Sequence, residues 1–373
     1  MGVRQSNSSK HTHDASDHDD LARVYQAVED LKSFKNYGTE KTQEALQEIE
    51  MMADGLQDDM KASVVKKLLD KGFAQLFLRI FQSLQPSKAP AAKRKSQRET
   101  NRRRKENFKL IIDICLEFSD IVNEEDTNIG LEFMQNGSIN AILEELNSQV
   151  TGATTTKEQS STIATMLMIL DNCAACGADA LVRCTYRKAN AVEILHKYLQ
   201  SDEMIFKIVS LFILSRITGE EESDKLAATE GCLSSLVQLT RDAIHAEDNV
   251  VFFDSFGEEN IGYGLWRLIN AIHRLATNTA NQKKLVQHQV VPVIVEIFSP
   301  YYMTDPGFLQ RVVETLWKLA FVDSHKDIII SQLKDDVNVL PCKFSALNIN
   351  ISNRVKCHES FDIQSVPRTF RVL

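Results

Sequence analysis

An all-α chain built from a repeated helical unit is the fold class this sequence predicts, and three observations predict it. Apolar residues recur every three or four positions through most of the chain, the pattern of helices that bury one face. Five stretches share a small or polar break followed by the same apolar spacing, which marks a repeat. Seven prolines and fourteen glycines are spread over 373 residues, and strand-like alternation is rare.

Taken in order, residues 1–20 are polar and rich in His, Asp and Ser, and predict a leader without fixed structure. Ala45, Leu46, Ile49 and Met52 give a helix over 42–54. Val64, Val65, Leu68 and Leu69, then Phe73, Leu76, Phe77, Ile80, Phe81 and Leu84, continue the pattern to residue 84. The composition then changes at QPSKAPAAKRKSQRETNRRRKEN, where two prolines and a run of cations predict an exposed loop or linker over 85–107. The five aligned stretches are LLDKGFAQLFLRIF, EFMQNGSINAILEEL, TYRKANAVEILHKYL, LAATEGCLSSLVQL and LVQHQVVPVIVEIF. Each breaks, at Gly72, Gly137, Asn190, Gly231 or Gln289, just before an apolar helix. From the second copy on, another apolar helix precedes each one. Break-to-break spacings of 65, 53, 41 and 58 residues fit a period near 41 with insertions, one of them at 242–262.

The copy INAIHRLATNTANQKKLVQHQVVPVIVEIF, with the four stretches that match it, resembles the armadillo repeat family over about residues 40–340. The resemblance implies an armadillo-like right-handed α-solenoid of about five to six repeats, filling residues 21–340, in which stacked neighbours share one core. After FLQRVVETLWKLAFVDSHKDIIISQLKDDVNVLP the periodicity stops, so residues 341–373 are expected to form an irregular tail without a capping helix. Armadillo-like repeats followed by a TIR-type signalling domain occur in invertebrate adaptors. The abrupt end suggests kinship with their repeat region, in a shortened form lacking that domain.

Composition narrows the function. A net charge of −8 argues against general nucleic-acid affinity. Cys115, Cys173, Cys176, Cys184, Cys232, Cys342 and Cys357 are odd in number and irregularly spaced, which predicts thiols in a reducing, cytoplasmic setting rather than a disulfide framework. Cys173 and Cys176 form a lone C-x-x-C inside an apolar helix, a core-filling pair. His11, His13 and His18 sit in a polar leader with no ordered ligand spacing, so no metal is expected. FGEENIGYG lacks the G-x-G-x-x-G spacing and a predicted strand before it, and no phosphate loop or H-E-x-x-H occurs. No catalytic residue, cofactor or small-molecule substrate is expected. The function class is a non-enzymatic scaffold or adaptor.

In the family's import adaptors, the groove-lining third helix carries W-x-x-x-N, where Trp holds basic side chains and Asn binds peptide backbone. Trp266 and Asn270 have that spacing, yet the register taken from Asn281 puts the family's Asn position on His273 and its Trp position on Ile269. The same count gives Leu116 with Asp120, Met168 with Asn172, and Phe212 with Arg216. Asp120, Asn172, Arg216 and His273 are therefore the candidate partner contacts on the concave face, while Trp266 and Trp317 are assigned to core or inter-repeat packing. An import-type peptide groove is not expected.

Two further signals concern location. Lys93, Arg94, Lys95, Arg98, Arg102, Arg103, Arg104 and Lys105 concentrate eight cations in thirteen residues. This basic patch reads as attraction to an anionic membrane surface, as a nuclear-localisation signal, or as a solvated loop. The start MGVRQS fits M-G-x-x-x-[ST], with Gly2 as the acceptor of a myristoyl chain and Ser6 as its recognition residue. One such chain binds membranes with an association constant of only about 10⁴ M⁻¹, so a second signal is needed, and the basic patch is the candidate. The expected location is cytoplasmic and peripheral at membranes; the alternative is a nuclear adaptor addressed by residues 93–105.

Overall fold

The computed structural model describes residues 13–55, 58–86, 95–120, 129–149, 156–177, 179–229, 231–253, 261–297, 305–320 and 325. These hold seventeen helices and one two-stranded hairpin, and the all-α repeat architecture is present. The described residues divide into two compact units, one running through Ile217 and the other starting at Thr218.

In the first unit, α1 (His13–Ser33) and α2 (Glu40–Gly55) precede three repeats of three helices each. The first repeat is α3 (Asp58–Asp70), α4 (Phe73–Leu84) and α5 (Lys95–Asp120); the second is α6 (Ile129–Asn136), α7 (Ser138–Gln149) and α8 (Lys157–Cys176); the third is α9 (Asp179–Lys188), α10 (Ala191–Leu199) and α11 (Met204–Ile217). The second unit holds two repeats. One is α12 (Glu220–Ala228), α13 (Cys232–His245) and α14 (Leu265–Leu275), with β1 (Val250–Phe253) and β2 (Ile261–Gly264) between its last two helices. The other is α15 (Thr279–Gln287), α16 (Val290–Glu296) and α17 (Pro306–Leu319).

The five breaks are the joints of these repeats. Gly72 (φ 78°), Gly137 (91°), Asn190 (55°), Gly231 (77°) and Gln289 (61°) each adopt the left-handed conformation between the first and second helix of a repeat. The chain must turn sharply there, and glycine enters that region without the penalty a Cβ brings. Asn and Gln occupy it at a cost, which the packing of the following helix sustains.

Repeats join through apolar rings and a few directed bonds. Phe77 of α4 stacks on Phe133 of α6 with centroids 4.6 Å apart, while within the first repeat Phe73 of α4 meets Phe118 of α5 edge-on at 5.5 Å. Tyr198 of α10 donates to the Leu146 carbonyl of α7 at 2.7 Å, and Tyr186 of α9 to the Leu170 carbonyl of α8 at 2.6 Å. In the second unit, Asn278 donates to Asp224 at 3.1 Å, tying the last repeat to the one before. The third helices form rows by packing on their successors: α2 on α5, α5 on α8 and α8 on α11 in the first unit, and α14 on α17 in the second.

Three expectations about local structure are corrected. Helix α1 begins at His13, inside the segment expected to lack structure, because Val24, Val28 and Leu31 on one stripe give it a buried face against which the earlier turns extend. The expected loop over 85–107 is helical from Lys95 onward, as the first half of α5. The 242–262 insert begins as the end of α13 and continues into an antiparallel hairpin, so a strand does precede IGYG; Val250 pairs with Gly264 and Phe253 with Ile261. The irregular tail expected at 341–373 lies outside the described residues.

Candidate partner-binding surface

The candidate contacts lie on third helices, as the sequence register places them, but the structure gives them different environments. Asp120 is exposed at the end of α5. Asn172 is buried in α8, 1% exposed, and its side chain donates to the Ser119 hydroxyl of α5 at 3.1 Å. Arg216 is half-buried and donates to the Ala174 carbonyl of α8 at 3.3 Å. His273 is 9% exposed and its Nδ1 lies 3.3 Å from the Thr315 hydroxyl of α17. Asn172 and His273 are thus corrected from partner contacts to bonds between repeats. The reason is packing: third helices of successive repeats lie against one another, and the side chains of Asn172 and His273 meet a neighbouring third helix there. Arg216 to Ala174 and His273 to Thr315 both span 42 residues, one repeat.

The row in the second unit is strongly cationic around His273. Lys318 of α17 donates to the His273 carbonyl at 3.1 Å and to the Thr277 hydroxyl at 2.9 Å, supplying donors to the carbonyl end of α14. Burial, with Lys318, Arg311 and Arg274 nearby, pushes the His273 imidazole down to about 3. Burial also lowers the Lys318 amine to about 8, with Arg311 adding to the effect. The sequence register found His273 but not Thr315 or Lys318, although an offset of one repeat, 42 residues from His273 and 41 from Thr277, points to both.

Neither tryptophan is core. Trp266 is 45% exposed, with its ring centroid 5.6 Å from that of Phe308 on α17, and Trp317 is 44% exposed. The packing assigned to Trp266 is therefore an inter-repeat contact at the surface. Asn270 donates to the Trp266 carbonyl of its own helix at 3.0 Å. In the first unit, Leu116 and Met168 are half-buried on α5 and α8, whereas Phe212 is buried at 4% exposure.

Within the basic patch, Lys93 and Arg94 lie outside the described residues and Lys95 starts α5. The cations that follow divide by helix face. Arg104 donates to the Ser83 carbonyl, and Arg103 pairs with Glu40 of α2 at 3.3 Å and with Glu99 at 3.4 Å, so both point inward to neighbouring elements. Arg98 and Lys105 are exposed. Arg102 is exposed while bridging Glu99 and Glu106, each at 2.7 Å, and this bond draws the Glu99 carboxyl below its ordinary range. Gly2, Ser6 and His11 lie outside the described residues; His13 and His18 fall on α1.

Other chemistry is sparse among the described residues. No group of three or more His, Cys, Asp or Glu side chains is placed to hold a metal ion. Cys115 and Cys173 are fully buried, and burial pushes both thiols well up, as a core role requires. No helix among the described residues is long and apolar enough to cross a membrane.

No protein-family model matches the chain, and no curated protein matches it. Among solved structures it is similar to a designed armadillo repeat protein, at 17% identity over 79% of this chain and 99% of that one, with a TM-score of 0.47.

Proposed function

We propose that this chain is a non-enzymatic scaffold that binds protein partners along its stacked third helices and visits membranes through a myristoyl group on Gly2. The observation that carries the first half is the row α5, α8, α11, where Leu116 and Met168 hold the same register position on successive helices and are both half-buried, with half-buried Arg216 one turn beyond that position on α11. Repetition at that spacing suits an elongated partner, which gains one contact per repeat. A photo-crosslinking residue at Leu116 or Met168 is expected to trap a partner of one defined size in cells. The same residue at Asn140 or Glu193, exposed on second helices, is expected to trap none. Equal trapping from both sets would defeat the assignment to the third helices, and turnover abolished by changes within 242–262 would revive an enzyme.

The membrane half is supported by the acylation motif at Gly2 and the cation-rich segment that follows Pro90. Labelling with a clickable myristate analogue is expected to mark the wild type and not Gly2→Ala, with the mutant moving from membrane to soluble fractions. Unlabelled wild type would remove the acyl claim. The nuclear reading uses the same cations, and a carrier that binds an extended basic peptide would have to unwind α5 and detach Arg103 and Arg104.

A further inference from the structure

Helix α5 runs for 26 residues, and its two halves differ in kind. The second half is apolar on the side facing α2, α4 and α8, with Ile111, Ile112, Ile114, Cys115 and Phe118 buried. The first half carries polar anchors to neighbouring elements. Asn107 donates to the Tyr37 and Thr39 carbonyls at 2.8 and 3.0 Å, Arg103 reaches Glu40, and Arg104 reaches the Ser83 carbonyl. These anchors fix the rotation of the helix. What they leave outside is Arg98, Arg102, Lys105 and Lys109, at steps of four, three and four residues, all exposed. That spacing is one helical stripe, about 16 Å long at the helical rise.

The stripe is more than a solvated face in one respect. Between residues 93 and 109 there are nine cations against two carboxylates, in a chain whose net charge is −8. Glu99 and Glu106 both serve Arg102, and Lys109 bridges Asp113 at 2.6 Å, so the stripe is partly compensated. Arg98 and Lys105 stand beside those pairs. The exposed residues of α5 from 97 to 109 include no aromatic side chain on which a base could stack, and no exposed apolar side chain that could insert between lipid chains. A flat anionic surface that pairs with the charges without penetration meets these conditions.

We propose that the stripe Arg98–Arg102–Lys105–Lys109 on α5 docks on an anionic phospholipid bilayer surface. The proposal deepens the membrane reading above and rests on it for the choice of a bilayer. It changes the residues that matter: Lys109 belongs to the contact, while Arg103 and Arg104 hold the helix in place. A cation near an anionic membrane multiplies affinity by roughly fivefold, so a few of them convert the weak hold of one acyl chain into a durable one. The interaction is electrostatic and is lost at high ionic strength.

The test uses the full chain produced without an acyl group, in flotation with vesicles of pure phosphatidylcholine and with vesicles carrying about 30% phosphatidylserine. Wild type is expected to float with the anionic vesicles at low salt, to stay in solution with the neutral ones, and to be released by about 0.5 M salt. Arg98→Gln with Lys105→Gln changes two exposed side chains and is expected to lower partitioning by about tenfold or more while the circular dichroism stays unchanged. Arg102→Gln with Lys109→Gln is expected to lower it as well. Equal floating with both vesicles, no floating of wild type at low salt, or unchanged partitioning in Arg98→Gln/Lys105→Gln would overturn the proposal. So would release of the protein from anionic vesicles by stoichiometric duplex RNA, which would assign the stripe to nucleic acid. Because no acyl chain is present, failure here is distinct from failure of the Gly2 labelling experiment.

Discussion

At the residue scale, the joints of the repeats are the most exposed to test. Gly137 and Gly231 hold φ values of 91° and 77°, and a Cβ added at either would meet nothing within 4 Å. Substitution by alanine therefore isolates the backbone penalty, expected to cost about 1–2 kcal/mol in urea unfolding. Gln289 already bears that penalty at φ 61°, so Gln289→Gly is expected to recover up to about 1 kcal/mol, after the extra freedom glycine gives the unfolded chain. His273 gives a residue-scale prediction in pH. Its pKa falls from 6.5 in the unfolded chain to about 3 in the folded one, so below pH 6.5 only the unfolded chain takes up its proton. Stability from this group is complete above pH 6.5 and is lost as pH falls toward 3, by up to about 1.4 kcal/mol per pH unit. His273→Gln is expected to flatten that part of the acid limb when urea midpoints are followed between about pH 7 and 4.5. Lys318 has the same sign at the alkaline end. Its folded pKa of about 8 lies below 10.5, so stability rises between those values, and Lys318→Met removes the rise.

At the scale of the element, buried polar bonds between helices fix register where apolar contacts alone would allow sliding. Tyr186 and Tyr198 place fully or largely buried hydroxyls on carbonyls of a neighbouring helix. Tyr198→Phe leaves the Leu146 carbonyl without that donor and is expected to cost about 1–2 kcal/mol. Asn172→Ala is expected to cost more, about 2 kcal/mol, because it removes the bond to Ser119 and leaves a gap in α8. A surface contact would show neither loss, so thermal unfolding of this mutant separates the two roles for Asn172. Helix α5 shows how much an anchor outside the helix decides. Its first half is made of good helix formers with Glu99 and Arg102 three apart and Arg102 and Glu106 four apart, a pattern that favours helix in solution. Pro86, Pro90 and the density of charge obscured that signal.

At the scale of the molecule, stacked repeats spread a local injury only to neighbours. Phe77 is fully buried between α4 and α6, and Phe77→Ala is expected to cost about 3–5 kcal/mol. Hydrogen exchange should then rise most in α4, α6 and the adjoining part of α5, and progressively less toward α11. A uniform rise through the first unit would mean that its repeats unfold as one cooperative block. The same repetition lets a side chain placed once per repeat form a row that no single helix could offer.

Most of the helices and the five joints were legible because they depend on short-range physics: apolar spacing within a helix, and the conformational freedom of glycine and asparagine at a left-handed turn. Gly72, Gly137, Asn190, Gly231 and Gln289 stand where a repeat must turn, and local sequence suffices to say so. The register also placed Asp120, Asn172, Arg216 and His273 on third helices. Their surroundings were decided by distances between residues 42 or 53 positions apart, which no local pattern encodes. Asn172 is bonded to Ser119, His273 sits against Thr315 and among the cations of α14 and α17, and Trp266 rests half-exposed on Phe308. The cations of α5 were equally visible as a cluster, but only packing against Glu40, Ser83, Tyr37 and Thr39 sorted them into those that hold the helix and those that face outward. Sequence sets which side chains are available; the rotation of one helix against its neighbours sets which of them face outward.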